Sequence, residues 1–200
     1  YITHQRDSKW SKKFTTTIFG KTALIIGLGN TGGNVAKWLK SKLGLNVIGV
    51  RRSGRTHRYA DAVFTPDQLD TLLPQADFII VTAPLTNETV DLLDRRRLSL
   101  LKPTAGLVNL GRARIVDYDA LAEFLEAGQI AGAILDVFDP EPLPPTSPLW
   151  KTRNLIAVPH CSSDDAEHYI DHTLDLFFEN LGRLLQGKRL KNAISRRHQY

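Results

Sequence analysis

The chain has 200 residues, no methionine and a single cysteine. Without methionine, Tyr1 is not a translation start, and the sequence is expected to be part of a longer chain. Cys161 alone excludes an intramolecular disulfide framework and a cysteine-rich zinc site, which fits a reducing, cytoplasmic setting. Long apolar runs are also lacking: stretches such as Phe78–Val81 are far too short to span a membrane. No charged-then-apolar secretory leader opens the sequence, and it contains no repeats or low-complexity segments.

What is present is ordinary for a globular domain: 42% hydrophobic and 24% charged residues, enough to bury a core without covalent staples. Twenty-six basic and 21 acidic residues leave a net charge of +5, a weak reason to invoke nucleic acid. Short runs rich in Val, Ile and Leu recur at Ala23–Ile26, Asn46–Val50, Phe78–Val81, Gly106–Leu110, Ala131–Leu135 and Leu155–Val158. Continuous apolar runs predict strands buried on both faces of a parallel sheet. Helices are expected over Thr31–Leu43, Pro66–Leu73, Asp119–Ala127 and Ser163–Gly187. The alternation predicts an α/β fold, a doubly wound parallel sheet of the Rossmann type. Residues 1–20 read as a connecting helix (Tyr1–Lys12) and loop, 21–163 as a dinucleotide-binding domain, and 164–200 as a last helix with a basic tail. The prolines between Asp139 and Leu149 predict a rigid, extended loop.

Gly27-Leu28-Gly29-Asn30-Thr31-Gly32 matches G-x-G-x-x-G, follows a predicted strand and opens a predicted helix. In that context Gly27 permits the tight turn and Gly29 lets backbone approach a pyrophosphate. Gly32 lets helix and strand pack closely. The helix N-terminus offers N–H groups and a positive dipole end to phosphates. The carboxylate that would accept the ribose 2′-OH of NAD, about 20 positions on, is missing. Arg51, Arg52 and Ser53 stand there instead, suited to a 2′-phosphate, so NADP(H) is the expected cofactor, with NAD(H) possible. The competing reading is a solvated basic loop. Gly20-Lys21-Thr22 is a decoy for a phosphate-binding loop, since it precedes a strand and lacks the first glycine.

Three later segments hold the candidates for chemistry: Asn109–Asp117 with Arg112, Leu135–Pro142 with Asp136 and Glu141, and Pro159–Asp165 with His160. With Gly27–Gly32, Ala83-Pro84-Leu85-Thr86 and Ser147-Pro148-Leu149-Trp150, they make the chain closely resemble the D-isomer-specific 2-hydroxyacid dehydrogenases. The glyoxylate/hydroxypyruvate reductase and phosphoglycerate-dehydrogenase-like branches are the nearest in pattern. The resemblance implies that Arg112 grips the carboxylate and keto oxygen of a 2-keto acid. It makes His160 the acid/base, Glu141 its carboxylate partner, and Asp136 the acid near the nicotinamide carboxamide. It places Asn30 and Thr31 at the pyrophosphate and Ala83, Pro84, Gly111 and Ser162 beside the cofactor.

The resemblance also implies a small 2-keto or 2-hydroxy acid substrate and a homodimer through the cofactor domain, with neither nucleic acid nor membrane as partner. The family's N-terminal substrate domain is missing from this sequence. The last helix should therefore expose apolar surface, and the fragment should bind cofactor but be catalytically incomplete. Ala113 departs from the family, which usually has glycine after the arginine. A non-enzymatic dinucleotide-sensing module of the same family is the alternative. Arg95-Arg96-Arg97 and the basic tail read as solvated charge runs. His168 and His172, one helical turn apart, are not taken as a metal site.

Overall fold

The computed structural model describes residues 5–10, 12 and 16–195. Of the helix expected over Tyr1–Lys12, residues 5–10 and 12 are described, and among them only Gln5 and Arg6 are helical. Seven parallel strands form one sheet in the order β3-β2-β1-β4-β5-β6-β7. They are β1 (Thr22–Ile26), β2 (Asn46–Val50), β3 (Ala62–Phe64), β4 (Phe78–Val81), β5 (Gly106–Asn109), β6 (Gly132–Leu135) and β7 (Leu155–Ala157). The helices are α1 (Asn30–Leu43), α2 (Leu69–Leu72), α3 (Arg95–Leu98), α4 (Tyr118–Glu126) and α5 (Tyr169–Leu185). All six expected strands form, within a residue or two at their ends. The doubly wound topology follows from them.

β3 and α3 were not anticipated. Ala62–Phe64 is only three residues long and half-buried, so it lacks the fully apolar run that marks the central strands. α3 is a single turn of Arg95-Arg96-Arg97-Leu98 whose first turn is capped by the Asp94 carboxylate, which accepts from the Arg97 amide at 2.8 Å. The three arginines are paired: Arg96 and Arg97 with Asp70 at 2.7 Å each, and Arg95 with Glu123 at 2.8 Å. The Arg96 and Arg97 hydrogen bonds hold the Asp70 carboxyl down at about 2. This charge run closes against α2 and α4.

The segment Pro66–Gln75 coils as short 3-10 turns on either side of α2, not as one helix. The last helix starts at Tyr169, six residues later than expected. Before it, the Asp165 carboxylate accepts from the amides of Glu167 and His168, closing a local turn that competes with helix.

Leu107, Ile79, Leu121 and Leu125 are among the fully buried side chains of the main core between the sheet and α4. A smaller cluster of Ile25, Leu28, Ala36 and Val47 packs α1 on the other face. Ile134 and Ile156, on β6 and β7, are exposed. α5 has no buried residue and presents Ile170, Phe177, Phe178 and Leu185 to solvent, in keeping with the expected exposed apolar surface. Among the described residues, no helix is long and apolar enough to cross a membrane. No group of three or more His, Cys, Asp or Glu there could hold a metal.

Candidate functional site

Ligands of open α/β sheets bind where the strand order reverses, outside the carboxyl ends of the strands. Here that point lies between β1 and β4, and every candidate segment follows the end of a strand. The glycine turn follows β1, Arg51–Ser53 follows β2, and Thr82–Thr89 follows β4. Gly111–Arg112 follows β5, Asp136–Glu141 follows β6, and His160 follows β7.

The glycines meet distinct requirements. Gly27 has φ +102°, and a Cβ there would lie 2.4 Å from the Ala83 nitrogen. A Cβ on Gly32 would lie 2.2 Å from the Gly27 carbonyl oxygen and 2.6 Å from Thr82 Oγ1. At Gly29 a Cβ would meet nothing within 4 Å, which leaves room for a phosphate to approach the backbone. Gly29 is also the N-cap of α1, with no side chain capping it and no acidic residue in the first turn. The amides and dipole at that end are thus free of a competing anion. The helix begins at Asn30, so Asn30 and Thr31 are its first two residues. Thr82, unremarked in the sequence, ties the turn to β4: its hydroxyl donates to the Gly27 carbonyl at 2.7 Å. Asn192 of the tail accepts from the Asn30 amide side chain at 3.4 Å.

Next to this turn lies a groove of about 550 Å³ lined by Gly27, Gly29, Arg51, Arg52, Ser53, Arg55, Ala83, Pro84 and Glu88, among others. It brings the expected cofactor residues of three loops together, and its volume and basic rim suit the adenosine half of a phosphorylated dinucleotide. Gly32→Val is expected to abolish dinucleotide binding, because the added side chain enters backbone that cannot move aside. Titration followed by tryptophan fluorescence checks this.

The candidate catalytic residues converge from three further loops. His160 Nδ1 and Glu141 Oε2 are 2.8 Å apart. The other Glu141 oxygen accepts from the Phe138 amide at 2.7 Å. The His160 and Phe138 bonds, with the charge of Arg112 adding to them, hold the Glu141 carboxyl below its ordinary range. Arg112 is exposed and donates through Nη1 to the Gly111 carbonyl at 2.7 Å. Gly111 is required as glycine, since a Cβ would lie 2.7 Å from the Ala83 carbonyl oxygen. Ala113 begins a 3-10 turn and is buried, with no positive φ, so its position accepts alanine.

Asp136, on the loop after β6, is tied to the segment that follows β7. It is 2% exposed, and its carboxylate accepts from the amides of Cys161 (2.9 Å) and Ser162 (3.2 Å) and from the Ser162 hydroxyl. Asp136 and Ser162 thus bond each other and fasten the chain just after His160, whose own φ is +50°. Asn109 has a comparable task. Fully buried, it accepts from the Gly111 amide and donates to the Arg112 carbonyl and the Tyr118 hydroxyl. That hydroxyl donates to the Val137 carbonyl at 2.8 Å. Burial pushes the Tyr118 phenol well above its ordinary range, so it stays a donor. The visible signal for Asn109 was a polar residue closing an apolar strand. Tyr118 carried none.

Residues 1–162 match the family described as D-isomer specific 2-hydroxyacid dehydrogenase, NAD binding domain. A glyoxylate/hydroxypyruvate reductase B from Pectobacterium carotovorum is 39% identical over 191 residues, 94% of this chain and 58% of that protein. A glyoxylate reductase from Thermofilum pendens is 38% identical over 189 residues, 93% of this chain and 55% of its own length. The chain therefore spans a little over half the length of these relatives. Among solved structures, a D-isomer specific 2-hydroxyacid dehydrogenase from Xanthobacter autotrophicus, in complex with NADPH and MES, superposes with a TM-score of 0.90. It is 31% identical, and the match covers all of this chain and 81% of that one. An NADPH-dependent glyoxylate/hydroxypyruvate reductase from Sinorhizobium meliloti, in complex with NADP and sulfate, gives 0.90 at 25% identity, over 100% of this chain and 63% of that one. With its glycine turn, parallel sheet and loop-borne His–Glu pair, this chain belongs to the D-isomer-specific 2-hydroxyacid dehydrogenase family, in that family's NAD-binding domain.

Proposed function

We propose that the chain is the cofactor-binding part of an oxidoreductase that moves a hydride between NADP(H) and a small 2-keto or 2-hydroxy acid, with D-isomer specificity. The 2.8 Å pair of His160 and Glu141, placed with Arg112 at the carboxyl edge of the sheet, carries this reading. The glycine turn, the uncapped start of α1 and the Arg51–Ser53 groove fit a phosphorylated dinucleotide, which supplies the hydride when bound. Arg112 holds the substrate carboxylate by paired hydrogen bonds and so orients the keto carbon. His160, engaged with Glu141 through Nδ1, is left with Nε2 to protonate the developing alkoxide. Glu141 fixes the ring's orientation. Asp136 and Ser162 support this chemistry by holding the His160 loop, beside the place near the nicotinamide carboxamide that the resemblance implies for Asp136. The names of the relatives favour glyoxylate or hydroxypyruvate as substrate. A homodimer through this domain and a cytoplasmic setting belong to the same proposal.

The basic loop supports the choice of NADP(H). Arg51→Glu is expected to reverse the preference, lowering NADPH affinity by about tenfold or more while sparing NADH, because a bidentate charged contact to phosphate is lost and a like charge is put in its place. Parallel NADPH and NADH titrations check it, and an unchanged ratio removes Arg51 from cofactor choice. For the reaction itself, the full-length protein is expected to oxidise NADPH with a panel of 2-keto acids. Tight dinucleotide binding without turnover on any of them would favour the sensing module instead.

A further inference from the structure

We propose that Glu88 is a second determinant of cofactor choice, a carboxylate that competes with the 2′-phosphate for Arg52 and so restrains the preference for NADP(H). This rests on the assignment of the Arg51–Ser53 loop to the 2′-phosphate. The end of β2 lacks the acidic residue that a ribose-binding site would carry, yet the fold supplies one from across the groove. Glu88 lines the same cavity as Arg51, Arg52, Ser53 and Arg55. Its Oε2 lies 4.0 Å from Arg52 Nη1.

Its backbone is held in place. The Thr89 hydroxyl accepts from the Thr86 amide and donates to the Pro84 carbonyl, both at 2.7 Å. The Thr86 hydroxyl accepts from the Glu88 amide at 3.3 Å. The backbone that carries the carboxylate is therefore fixed at the groove rim. A 2′-phosphate reaching Arg52 must displace Glu88 from the guanidinium and then sit beside a like charge. A ribose with a free 2′-OH meets neither cost. Glu88 is 71% exposed, so water and salt screen the effect, and it is a several-fold one.

The test titrates 2′,5′-ADP and 5′-AMP by calorimetry into the wild-type chain and Glu88→Gln, at low and high salt. Glu88→Gln is expected to tighten 2′,5′-ADP by about three- to tenfold at low salt, to leave 5′-AMP unchanged, and to lose most of the gain at high salt. Glu88→Ala should move 2′,5′-ADP in the same direction. An unchanged or weakened 2′,5′-ADP affinity overturns the proposal, as does an equal shift for both ligands. The wild-type ratio tests the underlying assignment separately. If wild type binds the two ligands alike but Glu88→Gln still gains on 2′,5′-ADP, the NADP(H) preference falls and the role of Glu88 stands. If wild type discriminates and Glu88→Gln changes nothing, only the role of Glu88 falls. No binding of 2′,5′-ADP to either protein overturns both.

Discussion

His160→Ala in the full-length protein is expected to lower kcat by about 10²- to 10⁴-fold, the usual contribution of a positioned general acid, while NADPH affinity stays unchanged. The split follows from where His160 sits. It lies on the loop after β7, whereas the dinucleotide groove is lined by the loops after β1, β2 and β4. Glu141 shares the work through the 2.8 Å contact with Nδ1. Its carboxyl is held below the ordinary value of 4.5, first by the His160 hydrogen bond and then by the Phe138 amide. A depressed carboxyl contributes its stabilisation above the unfolded value and loses it only as pH falls through the lower folded value. The Glu141 carboxylate therefore stays ionised at neutral and mildly acidic pH. Steady-state kinetics beside a fluorescence titration of NADPH separate the two effects. Normal turnover in His160→Ala would remove it from the mechanism, and lost cofactor binding would give it a structural role instead.

The second large effect is expected at Asp136. Asp136→Ala removes the acceptor of the Cys161 and Ser162 amides and of the Ser162 hydroxyl in a site that is 2% exposed. Leaving such donors unpaired costs about 2–3 kcal/mol, which for a domain of this size lowers Tm by roughly 5–10 °C. Catalysis should fall as well, by about 10²-fold, because His160 immediately precedes the released segment and small misplacements of a catalytic group are costly. Thermal unfolding and kcat are the two readouts. Asp136→Asn keeps one oxygen but turns a donor toward donors, so it should fall short of wild type in both. A variant with an unchanged Tm would show that the Asp136–Ser162 contact does not hold the loop.

Position 113 shows how local signals and packing divide the work. Alanine there departs from the glycine that the family usually has. Only the 3-10 turn with its ordinary φ shows why it is accepted, while the neighbouring Gly111, pressed against Ala83, could not change. The run Arg95–Arg97 makes the same point about charge. As a sequence it is three like charges; in the fold each has a carboxylate, two of them on Asp70 about 26 positions away.

By itself the sequence determined the parallel sheet, the glycine turn and the basic end of β2, and it offered Arg112, Glu141 and His160 as candidates. Those signals are local: apolar runs set burial, and a turn's glycines must lie within a few residues of each other. Tertiary structure alone decided that Asp136 anchors Ser162, that Asn109 and Tyr118 brace the Arg112 loop, and that Glu88 faces Arg52. It also decided that β3 joins the sheet. Each of these depends on loops from different strand ends meeting along one edge of the sheet. Chain positions far apart become neighbours there through strand order, which no short stretch of residues encodes.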